Sequence, residues 1–286
     1  MNINQQAQKL LELVNKKNQE KHSKFISIAS GKGGVGKTNF AVNLSYILAN
    51  KFGRKVLLID ADMGMADVHV ILNLKPQNNL KALLSGKKPQ DIVINSKGFD
   101  VLPGFSGIDT LEDLEDFMMM KIISDLTDFS KDYDFVIIDT AAGIDNKVIS
   151  FIRASSRCYV ITTPEPPAMM DAYALMKSIY KIYNYTNFKL VINMCKNKNE
   201  ALFTYDRLNS SFKRFVNKNI QLAGWIPYSQ TLNKSIKSKK LISEVFPSDD
   251  FTRAITAIAS KEVGEEYDFE KDGNFWKKLM SFLKKE

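Results

Sequence analysis

The sequence predicts an α/β fold: a doubly wound, mostly parallel sheet with helices on both faces. Two observations carry this. Short runs rich in β-branched residues alternate with longer segments of helical period, and the runs are continuously apolar rather than alternating, as in strands buried on both faces. The chain of 286 residues, 44% of them hydrophobic, can also bury a sizeable core, as one large α/β domain or two smaller ones.

The expected strands are 25–30 (FISIAS), 55–60 (KVLLID), 99–104 (FDVLPG), 134–140 (DFVIIDT), 158–163 (CYVITT), 188–194 (FKLVINM) and 220–227 (IQLAGWIP). Helical segments over 37–50, 111–129, 165–183 and 199–216 lie among them, and no internal repeat is evident. Residues 1–24 and 261–286 fall outside the alternation. The expected division is a helical partner or activator segment over 1–24, a central domain over 25–260, an acidic linker over 261–273 and an amphipathic helix over 274–286.

Composition excludes several classes. Cys158 and Cys195 are far apart and form no CxxC, which argues against a disulfide framework or a cysteine-rich metal site and fits a reducing cytoplasm. The first 24 residues have no continuous apolar core, and no stretch approaches the ~18 apolar residues of a spanning helix. A protein neither secreted nor membrane-spanning is expected. A net charge of +8 permits attraction to nucleic acid or to an anionic membrane without choosing between them.

Residues 30–40, SGKGGVGKTNF, join the first strand to an apolar helix. Gly31, Gly36, Lys37 and Thr38 fit the Walker A pattern G-x-x-x-x-G-K-[ST] in the context it requires. The glycines let backbone N–H groups approach phosphates, Lys37 neutralises phosphate oxygens, and the Thr38 hydroxyl is placed to ligate Mg²⁺ at a helix N-terminus. A bare glycine turn is the alternative, and residues elsewhere argue against it. DFVIIDT ends its apolar run at Asp139, as a Walker B strand does, and KVLLID ends at Asp60 with Asp62 two residues on. Carboxylates at the carboxyl edge of such a sheet stand where a phosphate-bound Mg²⁺ needs them.

KGGVGKT, with Lys32 directly after the first glycine, resembles the deviant Walker A of the MinD/ParA class of P-loop ATPases. The resemblance runs from about residue 24 to 260 through LLIDADMGMADVHVILN, IIDTAAG, TTPEPPAMMDAYALMK and VINM…GWIPYS. It implies ATP and ADP with Mg²⁺ as ligands, and slow, dimer-activated hydrolysis by an ATP-dependent homodimer. It further implies that Lys32 crosses the two-fold interface to the partner's phosphates, a surface lysine being the alternative. Catalysis then falls to Lys32, Lys37 and Asp62, with Asp62 orienting the attacking water and Thr38, Asp60 and Asp139 grouped around the metal. The nucleotide would be held by Gly31, Lys32, Gly33, Gly34, Val35, Gly36, Lys37, Thr38 and Asn39, with the adenine near Asn193 and Pro227. Asn193 could equally cap its strand.

The C-terminal NFWKKLMSFLKKE places Phe275, Trp276, Leu279, Met280, Phe282 and Leu283 on one helical face and Lys277, Lys278, Lys284 and Lys285 on the other. Such a basic amphipathic helix suits the interface of an anionic leaflet; docking on the protein's own core is the alternative. One short helix binds weakly, and a dimer carrying two gains by effective concentration. The expected location is therefore cytoplasmic, and peripheral at the inner face of the cell membrane when ATP is bound.

Ile3, Ala7, Leu10, Leu11 and Val14 give the N-terminus an apolar helical stripe. Gln6, Ala7 and Leu10 resemble the D-Q-A-x-x-L-R activator segment of FlhG-type flagellar-number regulators, with Gln5 and Leu11 departing from it. That resemblance implies the flagellar SRP-type GTPase FlhF and basal-body or switch components as partners; packing on its own domain is the alternative for this helix. A MinD-type cell-division regulator and a ParA-type DNA partition ATPase remain as further readings. The apolar tail face speaks against nucleic acid, and single cysteines speak against an iron–sulfur carrier.

Overall fold

The structure, a computed structural model, describes residues 23–62, 68–104, 116–264 and 275–283. β1 (Lys24–Ser30) leads through the glycine-rich loop into α1 (Lys37–Asn50), and β2 (Val56–Ala61) is followed by the short α2 (Val68–Ile71). A single helical turn at Leu80–Leu83 and α3 (Pro89–Ile92) precede β3 (Ile94–Ser96) and β4 (Phe99–Leu102). Next come α4 (Asp116–Phe129), β5 (Phe135–Ala142), α5 (Asn146–Ala154), β6 (Arg157–Thr162) and α6 (Pro166–Tyr183). The sheet finishes with β7 (Phe188–Cys195), α7 (Lys198–Val216) and β8 (Gln221–Pro227). α8 (Gln230–Lys237), α9 (Ile242–Val245), α10 (Asp250–Gly264) and α11 (Phe275–Leu283) follow.

The strands form one eight-stranded sheet in the order β3-β4-β2-β5-β1-β6-β7-β8. Every pairing is parallel except β3 with β4. All seven strands expected from the sequence form, within two residues at each end. β3 was not foreseen because its residues Ile94, Asn95 and Ser96 are only partly buried or exposed and give no apolar run. Its pairing is dictated by the turn: Lys97 and Gly98 both have positive φ, at 53° and 87°, as a two-residue hairpin matching strand twist requires.

The continuous apolar runs of β2 and β5 are buried on both faces, as their composition demands. On one face, Phe40, Leu44 and Leu48 of α1 pack with Phe251, Ile255 and Ile258 of α10 against Ile26, Ile28 and Ile137. The other face is covered by α4, α5, α6 and α7. α10 extends to Gly264, so the expected linker begins no earlier than 265. Lys261 and Glu262 belong to its last turn. The Glu262 carboxylate is fully buried and satisfied by Arg157 at 2.8 Å, Lys189 at 2.9 Å and the Tyr159 hydroxyl. A buried charge is tolerated only when paired in this way, and the cluster fastens the end of α10 to β6 and β7.

The C-terminal helix forms as expected, and its apolar face lies against the domain rather than facing outward. Phe275 stacks on Phe25 with centroids 4.1 Å apart, and Trp276 meets both rings edge-on. Trp276 Nε1 donates to the Ser130 hydroxyl at 2.9 Å, Leu279 is buried, and Met280 and Phe282 are partly buried. The Arg153 guanidinium sits 3.6 Å from the Phe282 ring centroid and the same distance from that of Tyr183. In the single chain these side chains take the alternative, docking on the protein's own domain. Leaving three large apolar side chains in water would forgo ~1.5–3 kcal/mol each, and a groove on the same molecule removes them from it first.

Phe25 carries both aromatic contacts of the tail. Phe25→Ala is expected to cost ~3–5 kcal/mol, shared between global stability and docking, with a lower Tm and a red-shifted Trp276 emission. An unshifted emission in a destabilised variant would mean that the tail docks without Phe25.

Candidate phosphate-binding site

The site lies at the carboxyl edge of the sheet, where β1, β2 and β5 end side by side. Asp60 and Asp139 are register partners on β2 and β5, so the strand pairing alone brings two carboxylates together. β1 ends at Ser30, whose carbonyl accepts from Gly143 N at 2.9 Å, joining the loop after β5 to the loop after β1. Gly31 passes against α6 so closely that a β-carbon there would lie 2.3 Å from the Asp171 carbonyl. Gly36 has φ of 90°, and a β-carbon on it would lie 2.4 Å from the Asn193 amide. Gly34 is also left-handed, and Gly33 and Gly34 have open space beside them. The loop is thus pinned at its glycine ends and open in the middle, which leaves room for an anion over the N-terminus of α1.

Lys37 is the central cation. Its side chain is 7% exposed, and Nζ lies 2.8 Å from Asp139 Oδ1 and 3.8 Å from Asp62 Oδ2. Asp139 also accepts a hydrogen bond from the Thr38 side chain. Burial raises the Asp139 carboxyl above the usual range, and Lys37 opposes that rise. Asp60 is pushed up to about 8, chiefly by burial and then by the charge of Asp139, against the backbone N–H of Asp62 and the more distant Lys37. Among the described residues Lys37 is thus shared by Asp139 and Asp62. Asp60 Oδ2 and Asp139 Oδ2 are buried and accept no hydrogen bond, a costly arrangement unless another positive group belongs there.

That arrangement fits Mg²⁺ with phosphates. Among the described residues no three His, Cys, Asp or Glu side chains gather into a cation site. A metal at Thr38 with Asp139 and Asp60 behind it would therefore draw its remaining ligands from phosphate and water, the habit of Mg²⁺.

The other expected site residues are also near the loop. Lys32 pairs with Glu165 of the same chain at 3.6 Å, both side chains well exposed. Glu165 was missed in the sequence, although it stands in PEPP immediately before α6. Asn193, buried at the end of β7, donates to the Val35 carbonyl at 2.8 Å and accepts from Met194 N. In this state it braces the phosphate loop, and Pro227 ends the neighbouring β8, paired with Cys195. Asn39 has a buried side-chain oxygen with no hydrogen-bond partner.

The fold and this constellation define a P-loop nucleotide-binding protein. The family model described as an AAA domain matches residues 23–192. "Antiactivator FleN" of Pseudomonas aeruginosa is 34% identical over 82% of this chain and 85% of its own. "Flagellum site-determining protein YlxH" of Helicobacter pylori is 33% identical over 98% of this chain and its own full length. Among solved structures, the septum site-determining protein MinD of Pyrococcus horikoshii, complexed with Mg-ADP, superposes with a TM-score of 0.68 at 22% identity, over 85% of this chain and 96% of its own. The chain belongs to the MinD/ParA family of P-loop ATPases, in the group that contains FleN and YlxH.

A pH prediction follows from Asp60. Its folded form keeps a proton that the unfolded chain has released above about pH 4, so in the metal-free protein this group's contribution to stability falls as pH rises toward about 8. Asp60→Asn is therefore expected to raise Tm relative to wild type near pH 8, with the gain shrinking toward pH 5. Thermal melts without Mg²⁺ or nucleotide check this, and a gain independent of pH would contradict it.

Proposed function

We propose that this chain is a dimerising regulatory ATPase that attaches to the membrane in its ATP state and sets flagellar number and placement. The observation that carries the reading is the pair of lysines. Lys37 is buried among the carboxylates, and Lys32 stands exposed at the rim of the same loop, held among the described residues by an exposed ion pair with Glu165. A surface pair of this kind is worth little, so Lys32 can exchange Glu165 for phosphates on a second copy.

Within one subunit the phosphates would take Lys37, and Thr38 would hold Mg²⁺ with Asp139 and Asp60 behind it. The metal would supply neutralisation of phosphate charge. Asp62 orients the attacking water, and Lys32 stabilises developing charge from the opposite subunit, as an arginine finger does. Hydrolysis is accordingly slow in the monomer and faster in the dimer. Asn193 and Pro227 border the adenine once the loop has closed on nucleotide.

The name of YlxH supports the flagellar assignment. Residues 1–24 are the proposed contact with an FlhF-type GTPase and basal-body or switch components. For attachment, α11 must leave its groove and present Phe275, Trp276, Leu279, Met280, Phe282 and Leu283 to an anionic leaflet. Two tails on one dimer bind where one does not. No described helix is long and apolar enough to cross a membrane, which suits a peripheral, reversible attachment from the cytoplasm. A MinD-type role at the division site is the second reading, supported by the name of a septum site-determining relative.

Lys32→Ala is expected to keep nucleotide affinity within about threefold while losing ATP-dependent dimerisation, hydrolysis and vesicle binding together. Titration calorimetry, light scattering and vesicle sedimentation read these, and a variant that still dimerises with ATP would remove Lys32 from the interface. Asp62→Ala is expected to bind ATP and accumulate as dimer, with turnover reduced by ~10²-fold or more; wild-type turnover would remove Asp62 from the mechanism.

A further inference from the structure

Ser23 and the C-terminal helix meet at one residue beside the same groove. The groove under α11 is built from Phe25, Leu126, Phe151 and Ala154. Ser23, through which residues 1–22 enter the fold, is buried, and its hydroxyl donates to the Ser130 carbonyl. The hydroxyl of the same Ser130 accepts from Trp276. One residue at the end of α4 thus holds both the entry of the N-terminal segment and the anchor of the C-terminal helix.

The N-terminal sequence suits that groove. Ile3, Ala7, Leu10, Leu11 and Val14 repeat at three- and four-residue intervals, as do Phe275, Trp276, Leu279 and Phe282 of α11. Residues 15–22 between Val14 and Ser23 extend up to ~30 Å. That exceeds the ~13 Å length of the nine-residue α11. The connecting stretch carries Lys16, Lys17 and Lys21 with Glu20, and the surface beside Ser130 exposes Asp132 and the Lys131–Asp128 ion pair.

We propose that residues 3–14 are the second occupant of this groove, docking as an amphipathic helix when α11 departs and yielding when it returns. The order of preference follows from side-chain chemistry. The segment has no aromatic residue, so it reproduces neither the Phe25–Phe275 stack nor the Trp276–Ser130 hydrogen bond, and α11 wins while it is free. Once α11 is gone, Phe25 and Phe151 would face water, and a tethered apolar helix covers them at high effective concentration. Each end thereby acquires a state that depends on the other. The N-terminal segment is available to a partner while the tail is docked and covered once the tail is withdrawn. The proposal rests on the membrane reading only for what empties the groove in the cell, and the test empties it by mutation.

The experiment is amide hydrogen exchange on the full chain, comparing wild type with Phe275→Glu/Leu279→Glu. Retained ATP binding at the opposite sheet edge serves as the check on folding, and Trp276→Ala is the milder replacement if the double variant does not fold. Exchange over residues 3–14 is expected to slow by about tenfold or more when the tail is ejected, and adding Leu10→Asp/Leu11→Asp is expected to abolish that protection. Equal exchange over residues 3–14 with the tail docked and ejected would overturn the proposal, as would protection that survives the two aspartates. Wild-type chain that fails to bind anionic vesicles with ATP would refute the membrane reading and leave the mutant comparison to judge the groove.

Discussion

The ammonium of Lys37 among Asp139, Asp62 and Asp60 is the constraint on which the rest of the site depends. A buried lysine needs a nearby anion, and two buried carboxylates on adjacent parallel strands need a cation between them. The sheet places Asp60 and Asp139 in register, and the glycine loop turns α1 so that Lys37 reaches back over the strand ends. The arrangement holds the loop in shape and leaves two buried carboxyl oxygens without a hydrogen bond. A site of this kind gains from phosphate-bound Mg²⁺ because the ligand supplies the balance the protein lacks.

The same economy governs the periphery. Glu262 satisfies two basic groups and a phenol at the far end of the sheet, fastening α10 where the chain turns toward its C-terminal helix. α11 then covers apolar surface at the start of β1, while the phosphate loop lies at the end of the same strand. β1 therefore touches the nucleotide site at one end and the tail at the other. α5 adds a second route: it begins directly after the loop that bonds to Ser30, and Arg153 in its last turn stacks on Phe282 of the tail.

Legibility varied with the range of the information required. Strands 24–30, 135–142 and 188–195 were readable because an apolar run bounded by glycine, aspartate or asparagine is a local pattern. The phosphate loop was readable because its chemistry needs particular residues at fixed spacing within eleven positions. β3 was not, since its instruction is a turn at Lys97 and Gly98 and its pairing, as the edge strand, with β4. Glu165 and Asn193 illustrate the same limit within the site. Nothing local indicates that one meets Lys32 from the start of α6, or that the other donates to Val35 from the end of β7.

By itself the sequence determined the class of fold, the phosphate cradle with its lysines and carboxylates, and the amphipathic character of both ends, because each is written in neighbouring residues. Only the tertiary structure decided what the C-terminal face touches. A stripe of phenylalanine, tryptophan and leucine reads the same whether it faces a lipid leaflet or a groove on its own domain. Burial of apolar surface is non-directional, and the choice is made by geometry that the stripe does not contain: the Phe25 ring at the start of β1 and the Ser130 hydroxyl at the end of α4.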